Sequence, residues 1–141
     1  FGCCGLLAMG RTGSPWPCHG IEHELSAFYD ITHGTGLAII TPHWMRWTLT
    51  DATATRFAQY GVRVWGLSAE DDAMTTARKA IDRTADFFRS VGMPATLTEV
   101  GITDKYFEAM ADHLAAIRRP MEKSFRPMDR DGILTVLRAA L

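Results

Sequence analysis

The stretch GLAIITPHWM, Gly36 to Met45, is apolar on nearly every side, and its reading decides the fold. Taken as a helix it lies at the centre of a bundle; taken as a strand it is buried within a sheet. Periodicity alone does not separate the two, because an apolar run of this length carries neither a 3.6-residue nor a two-residue alternation. The run contains Pro42 and His43. It is far too short to cross a bilayer, which takes about 20 apolar residues.

The flanking sequence favours the helix. Thr32 stands where a helix N-cap belongs and places His33 at the N-terminal end of the run. Further on, Ser68-x-x-Asp71 forms a candidate capping box. It precedes an apolar stripe of Met74, Ala77, Ile81, Thr84 or Ala85, Phe88 and Val91 at three- and four-residue spacing. The tetrapeptide VGMP closes that helix, with Gly92 suited to positive φ and Pro94 unable to continue. The same punctuation predicts helices near 51–64, 104–118 and 130–140, started by Thr50 or Asp51, Thr103 and Asp129. RTGSPWP, 11–17, reads as a turn-rich loop because Pro15 and Pro17 disfavour a continuous helix. Strand signals are scarce, so the expected fold is an all-α bundle.

The chain has 141 residues, close to the usual size of one domain. Its 15 basic and 16 acidic residues leave a net charge of −1, with no basic stripe for nucleic acid and no charged face for a membrane surface. Cys3, Cys4 and Cys18 are an odd set with two adjacent, a poor disulfide framework, so reduced thiols in the cytoplasm are expected. No basic region precedes an apolar one as in a signal peptide. The chain opens on Phe1 and runs directly into CCGLLAMG, as a segment of a longer chain would.

The chemistry concentrates in CHGIEHELSAFYDITHG, residues 18–34. His19 and His23, four apart, share one helix face and can bind a divalent metal, with Glu22 orienting a ligand or serving as base. His19-x-x-Glu22-His23 also has the form of the inverted zinc peptidases, which need a third, downstream glutamate; Glu99 is the candidate. A third arrangement pairs His19 with His33. On one unbroken helix their 14-residue separation would span about 21 Å, so they meet only if the chain doubles back. YDITHGTG permits this: Asp30 and Thr32 favour turns and caps, and Gly34 and Gly36 tolerate unusual backbone angles. The residues leave all three open.

GLLAMGR (5–11), HGIEHELSAFYDITHGTGLAIITPHWM (19–45) and FFRSVGMPATLTEVGI (87–102), in this order and on to RDGILTVLRAAL, resemble iron-containing alcohol dehydrogenases. The similarity is to the butanol-dehydrogenase-like branch and covers essentially the whole chain. The resemblance implies the C-terminal helical domain of the dehydroquinate-synthase-like fold, residues 1–141. Its partner would be an N-terminal nucleotide-binding domain. It implies that His19 and His33 are metal ligands for Fe(2+) or Zn(2+). His23 would lie near the nicotinamide as a catalytic residue, outside the ligand set. The implied reaction interconverts primary alcohols and aldehydes with NAD or NADP, the metal polarising the alcohol oxygen. GRTGSPWP is not G-x-G-x-x-G, and no Asp-x3-His pair supplies the family's other two ligands. The chain is therefore expected to be inactive alone and, with its histidine face uncovered, to self-associate as a homo-oligomer. The rival function is a non-catalytic helical module that binds metal or mediates assembly.

The remaining candidates have blander expectations. Cys18 reads as a buried thiol, and His43 and His113 as structural. Trp44, Trp47 and Trp65 read as core or interface aromatics, and Trp16 as a loop residue for which lining a substrate pocket is the minority alternative. RRPMEKSFRPMDRD, 118–131, reads as a solvated surface.

Overall fold

The computed structural model describes residues 16–117 and 124–141. Among these residues six α-helices follow in order: α1 Pro17–Tyr29, α2 His33–Thr48, α3 Asp51–Trp65, α4 Ala73–Ser90, α5 Phe107–Ile117 and α6 Arg130–Ala139. Two short 3-10 helices, Thr98–Val100 and Asp104–Tyr106, lie between α4 and α5. No strand occurs among the described residues. The fold is all-α, and GLAIITPHWM is helical. Pro42 sits inside α2, where it withdraws one backbone donor from the ladder. Thr41 turns its hydroxyl onto the Leu37 carbonyl at 2.6 Å.

The main core lies between α1, α2, α5 and α6. Ile21 and Leu25, Ile39 and Ile40, Phe107, Met110 and Leu114, and Ile133 and Leu137 are all buried there. A second cluster of Met45, Phe57, Ala77 and Ile81 joins α2 to the α3–α4 pair, and Trp44 touches both clusters. Gly61 lets α3 and α4 close up, since a Cβ there would lie 2.9 Å from Ala80 Cβ. Trp47 packs on the main core beneath Arg126, whose guanidinium lies 4.0 Å from the ring centroid. Trp65 packs edge-on to Tyr60 and against Phe87.

Several local expectations are corrected. Asp72 caps α4, accepting the Thr75 N–H at 3.0 Å. Ser68 instead accepts the Glu70 N–H at 3.1 Å and closes a turn of its own. Val91 ends that stripe 54% exposed rather than in the core. The helix expected over 104–118 begins as a 3-10 turn and is α-helical from Phe107 to Ile117. Within 118–131, residues 118–123 lie outside the described residues, and the rest is more than a solvated face. Met128 is buried, and Arg130 donates to Asp112 at 2.5 Å and to Glu108 at 2.6 Å. Thr50 and Asp129 start α3 and α6 as expected. Gly92 takes positive φ at the end of α4.

Candidate metal centre

His19 and His23 lie one turn apart on α1, and their Nε2 atoms approach to 3.2 Å. His33, the first residue of α2, brings its Nε2 to 3.0 Å from that of His19. The three rings meet edge-on, with centroids 4.4, 4.9 and 5.3 Å apart. Among the described residues, these three form the cluster of imidazole, thiol and carboxylate donors close enough to share one ion. His23 and His33 are exposed and His19 is half-buried.

The chain doubles back to make this cluster, though not through its glycines. Asp30 takes the left-handed conformation at φ 54° and ends α1, its N–H bonded to the Ser26 carbonyl. Gly34 and Gly36 keep ordinary negative φ. The Ser26 hydroxyl reaches the Ile31 carbonyl at 3.1 Å, which lays the connection back along α1. Thr32 occupies the N-cap position of α2 without a side-chain cap bond.

Below the cluster lies Glu22, fully buried at 0% exposure. Its Oε2 lies against His33 Nδ1, and its Oε1 accepts the Ser26 hydroxyl at 2.6 Å. Sequence reasoning offered Glu22 as an orienting group or a base and missed that it is buried. The signal was available: with Ile21 and Leu25, Glu22 falls on the core-facing stripe of α1.

The donor set suits a divalent cation. A proton on His33 Nδ1, which faces Glu22 Oε2, would leave its Nε2 with a lone pair toward the cluster. Two nitrogens at about 2.1 Å from one tetrahedral ion stand about 3.4 Å apart, a few tenths of an ångström beyond the 3.0 and 3.2 Å found. These separations admit His23 as well as His19 and His33.

The other candidates lie elsewhere. Cys18 hydrogen-bonds with Thr41 at 3.4 Å, and burial pushes its thiol up to about 11. A neutral buried thiol is a poor ligand. Glu99 accepts the Ala95 N–H at 2.9 Å and stands outside the imidazole cluster, so the peptidase reading lacks its third ligand. His43 lines a cleft of about 120 Å³ with Arg46, Phe88 and Arg89, and burial lowers its pKa. His113 has a partner that no motif signalled, the buried carboxylate of Glu24 at 2.9 Å. Trp16 is the N-cap residue of α1, 37% exposed. Cys3, Cys4, the GLLAMGR motif and most of RTGSPWP lie outside the described residues. No described helix is long and apolar enough to cross a membrane.

Residues 2–141 match the family described as Fe-containing alcohol dehydrogenase, C-terminal. The chain is 43% identical over 134 residues to NADH-dependent butanol dehydrogenase A of Clostridium acetobutylicum, covering 95% of this chain and 34% of that protein. It is 35% identical over 94 residues to lactaldehyde reductase of Escherichia coli, covering 66% of this chain and 24% of the relative. The crystal structure of NADH-dependent butanol dehydrogenase A from Thermotoga maritima superposes with a TM-score of 0.79 at 29% identity. That match covers 96% of this chain and 35% of the other. The chain thus spans about a third of the length of that butanol dehydrogenase and about a quarter of that lactaldehyde reductase.

Proposed function

Because the chain belongs to the Fe-containing alcohol dehydrogenase family and matches its C-terminal part, we propose that residues 1–141 are the metal-binding helical domain of an oxidoreductase. Its reaction interconverts primary alcohols and aldehydes with NAD or NADP. The observation that carries the reading is the 3.0 Å approach of His33 Nε2 to His19 Nε2 from two different helices.

In this reading His19 and His33 are the ligands for Fe(2+) or Zn(2+), and a nucleotide-binding domain outside these residues completes the set. When bound, such an ion supplies Lewis acidity toward an alcohol or aldehyde oxygen, and the dinucleotide carries the hydride. His23 is the catalytic residue, holding or passing the alcohol proton at its imidazole. Its exposure and its contact with His19 support that role. The exposure of His23 and His33 together supports a site closed over by a second domain. Uncovered, the same face favours a homo-oligomer. The free, half-buried Cys18 thiol supports placement in the cytoplasm. The 141-residue chain alone is inactive in this reading, since two imidazoles fill half of a four-ligand shell and the dinucleotide is held elsewhere.

Metal analysis of three alanine variants in the full-length protein tests the division of roles. His19→Ala and His33→Ala should lose most bound iron or zinc, while His23→Ala keeps it and turns over alcohol slowly. Equal metal loss in His23→Ala would place that residue in the ligand set. Undiminished metal in His33→Ala would overturn the site.

A further inference from the structure

A carboxylate withdrawn from water is unfavourable unless its charge is paired and its oxygens are bonded. Glu22 is 0% exposed, and three separate features of the chain keep it there. Ser26, one turn on, donates its hydroxyl to Oε1 at 2.6 Å. Gly36 leaves room for it: a Cβ at that position would lie 2.9 Å from both Cγ and Oε1. The first turn of α2, which holds His33 and Gly36, presents the positive end of the helix to it. Oε2, the remaining oxygen, faces His33 Nδ1.

α1 carries a second buried carboxylate, which makes a useful contrast. Glu24 bonds His113 Nδ1 at 2.9 Å, but His113 lies on α5 and outside the imidazole cluster. That pair fastens two helices together. The Glu22 pair instead ends in a ring whose other nitrogen points into the cluster.

We propose that Glu22 is the positioning residue of the metal centre, fixing His33 as the Nδ1–H tautomer with its Nε2 lone pair aimed at the shared ion. Ser26 and Gly36 hold the carboxylate in register. Nothing in the H-x-x-E-H pattern requires this; in the peptidase reading the same glutamate would face solvent as a base. The proposal rests on His33 being a ligand, and the test below separates the two claims.

The measurement is Zn(II) affinity of the full-length protein, by competition with a chromophoric chelator. The variants are Glu22→Gln, Glu22→Leu, Ser26→Ala and His33→Ala. Proton–nitrogen NMR reads the tautomer of His33 in the zinc-free protein, and far-UV circular dichroism reports folding. Glu22→Gln keeps an acceptor and loses the charge, so its affinity should fall about tenfold with the tautomer retained. Glu22→Leu loses both, so its affinity should fall about 100-fold and the Nε2–H tautomer should appear. Ser26→Ala should lose a few-fold. A folded Glu22→Leu protein that binds Zn(II) within twofold of wild type with Nδ1–H intact overturns the proposal. Should Glu22→Leu not fold, Glu22→Gln decides alone: unchanged affinity overturns the proposal, and a tenfold loss sustains it. Loss of zinc in His33→Ala beside unaffected Glu22 variants would sink only the role of Glu22. Unchanged zinc in His33→Ala would sink the ligand assignment itself.

Discussion

Gly36→Ala puts the closeness of α1 and α2 to a quantitative test. Inside a helix the change ordinarily stabilises by about 1 kcal/mol, because alanine loses less conformational freedom on folding. Here the new Cβ falls 2.9 Å from Glu22 Cγ and Oε1 and 3.3 Å from Cδ, against an ordinary contact of 3.4 Å or more. Something must move by about 0.5 Å. Glu22 is fully buried and cannot swing into water. Overpacking of this kind costs about 1–3 kcal/mol, and disturbing the 2.6 Å bond from Ser26 to a charged acceptor adds about 1–3 kcal/mol. The net expectation is a loss of about 1–5 kcal/mol, read as a lower midpoint in urea with unchanged slope. Zn(II) affinity should fall with it. Gly34→Ala is the control two residues earlier on the same helix, with nothing within 4 Å of its added Cβ. It should be neutral or stabilising by up to about 1 kcal/mol. A Gly36→Ala protein as stable as Gly34→Ala, with zinc affinity intact, would refute the close approach and the carboxylate placement built on it.

Two further outcomes follow from residues already placed. Asp72→Ala should lower the melting temperature and Ser68→Ala should not, because Asp72 holds the Thr75 N–H while Ser68 closes a separate turn. The Thr75 hydroxyl and then its backbone N–H depress the Asp72 pKa below 3.8. The cap is therefore at full strength above that pH, and the gap between wild type and Asp72→Ala should close as pH falls through the lower folded value. For Cys18, burial raises the pKa from 9.0 to about 11 despite the Thr41 hydroxyl. Alkylation by iodoacetamide at pH 8 should run about 100-fold slower than in the unfolded chain, since each pKa unit is tenfold in thiolate. Rapid alkylation of Cys18 in peptide-resolved mass spectra, or protection of it by Zn(II), would contradict a thiol held neutral and uninvolved in the metal centre.

The helices were legible where side chains announce their ends. Thr50, Asp129 and Gly92 each stand at the boundary they mark, because caps and C-terminal glycines act within a turn of themselves. Ser68 misled because a serine before an acidic residue satisfies the capping pattern wherever the helix begins. The first helical residue is Ala73, which leaves the cap to Asp72. Val91 misled for a related reason. A stripe predicts which side of a helix faces inward, but how far the neighbour extends is a tertiary fact, and at Val91 the core has run out. The partnership of Glu24 with His113 joins residues 89 apart and leaves no local trace. Arg126 over Trp47, 79 apart, is hidden in the same way.

The histidine site shows how local and long-range information combine. Residue types named His19, His23 and His33, yet 14 residues of helix would separate the outer two by about 21 Å. The connection between α1 and α2 closes that distance by length as well as by turning. From Tyr29 back to Glu22 is seven residues of helix, about 10 Å. The four chain steps from Tyr29 to His33 can reach about 13 Å, enough to cover that distance while Asp30 turns the chain back. Once Asp30 reverses the chain, Thr32, at φ −60° and ψ 127°, continues extended, and the Ser26–Ile31 bond holds the strand of chain against α1. α2 therefore starts abreast of Glu22 rather than abreast of Tyr29. A tight two-residue turn would leave His33 near the end of α1, out of reach of His19. A longer loop would free His33 from any fixed height. The centre depends on a connection that retraces two turns of the helix it leaves, and the buried carboxylate at the level where it arrives meets the imidazole there.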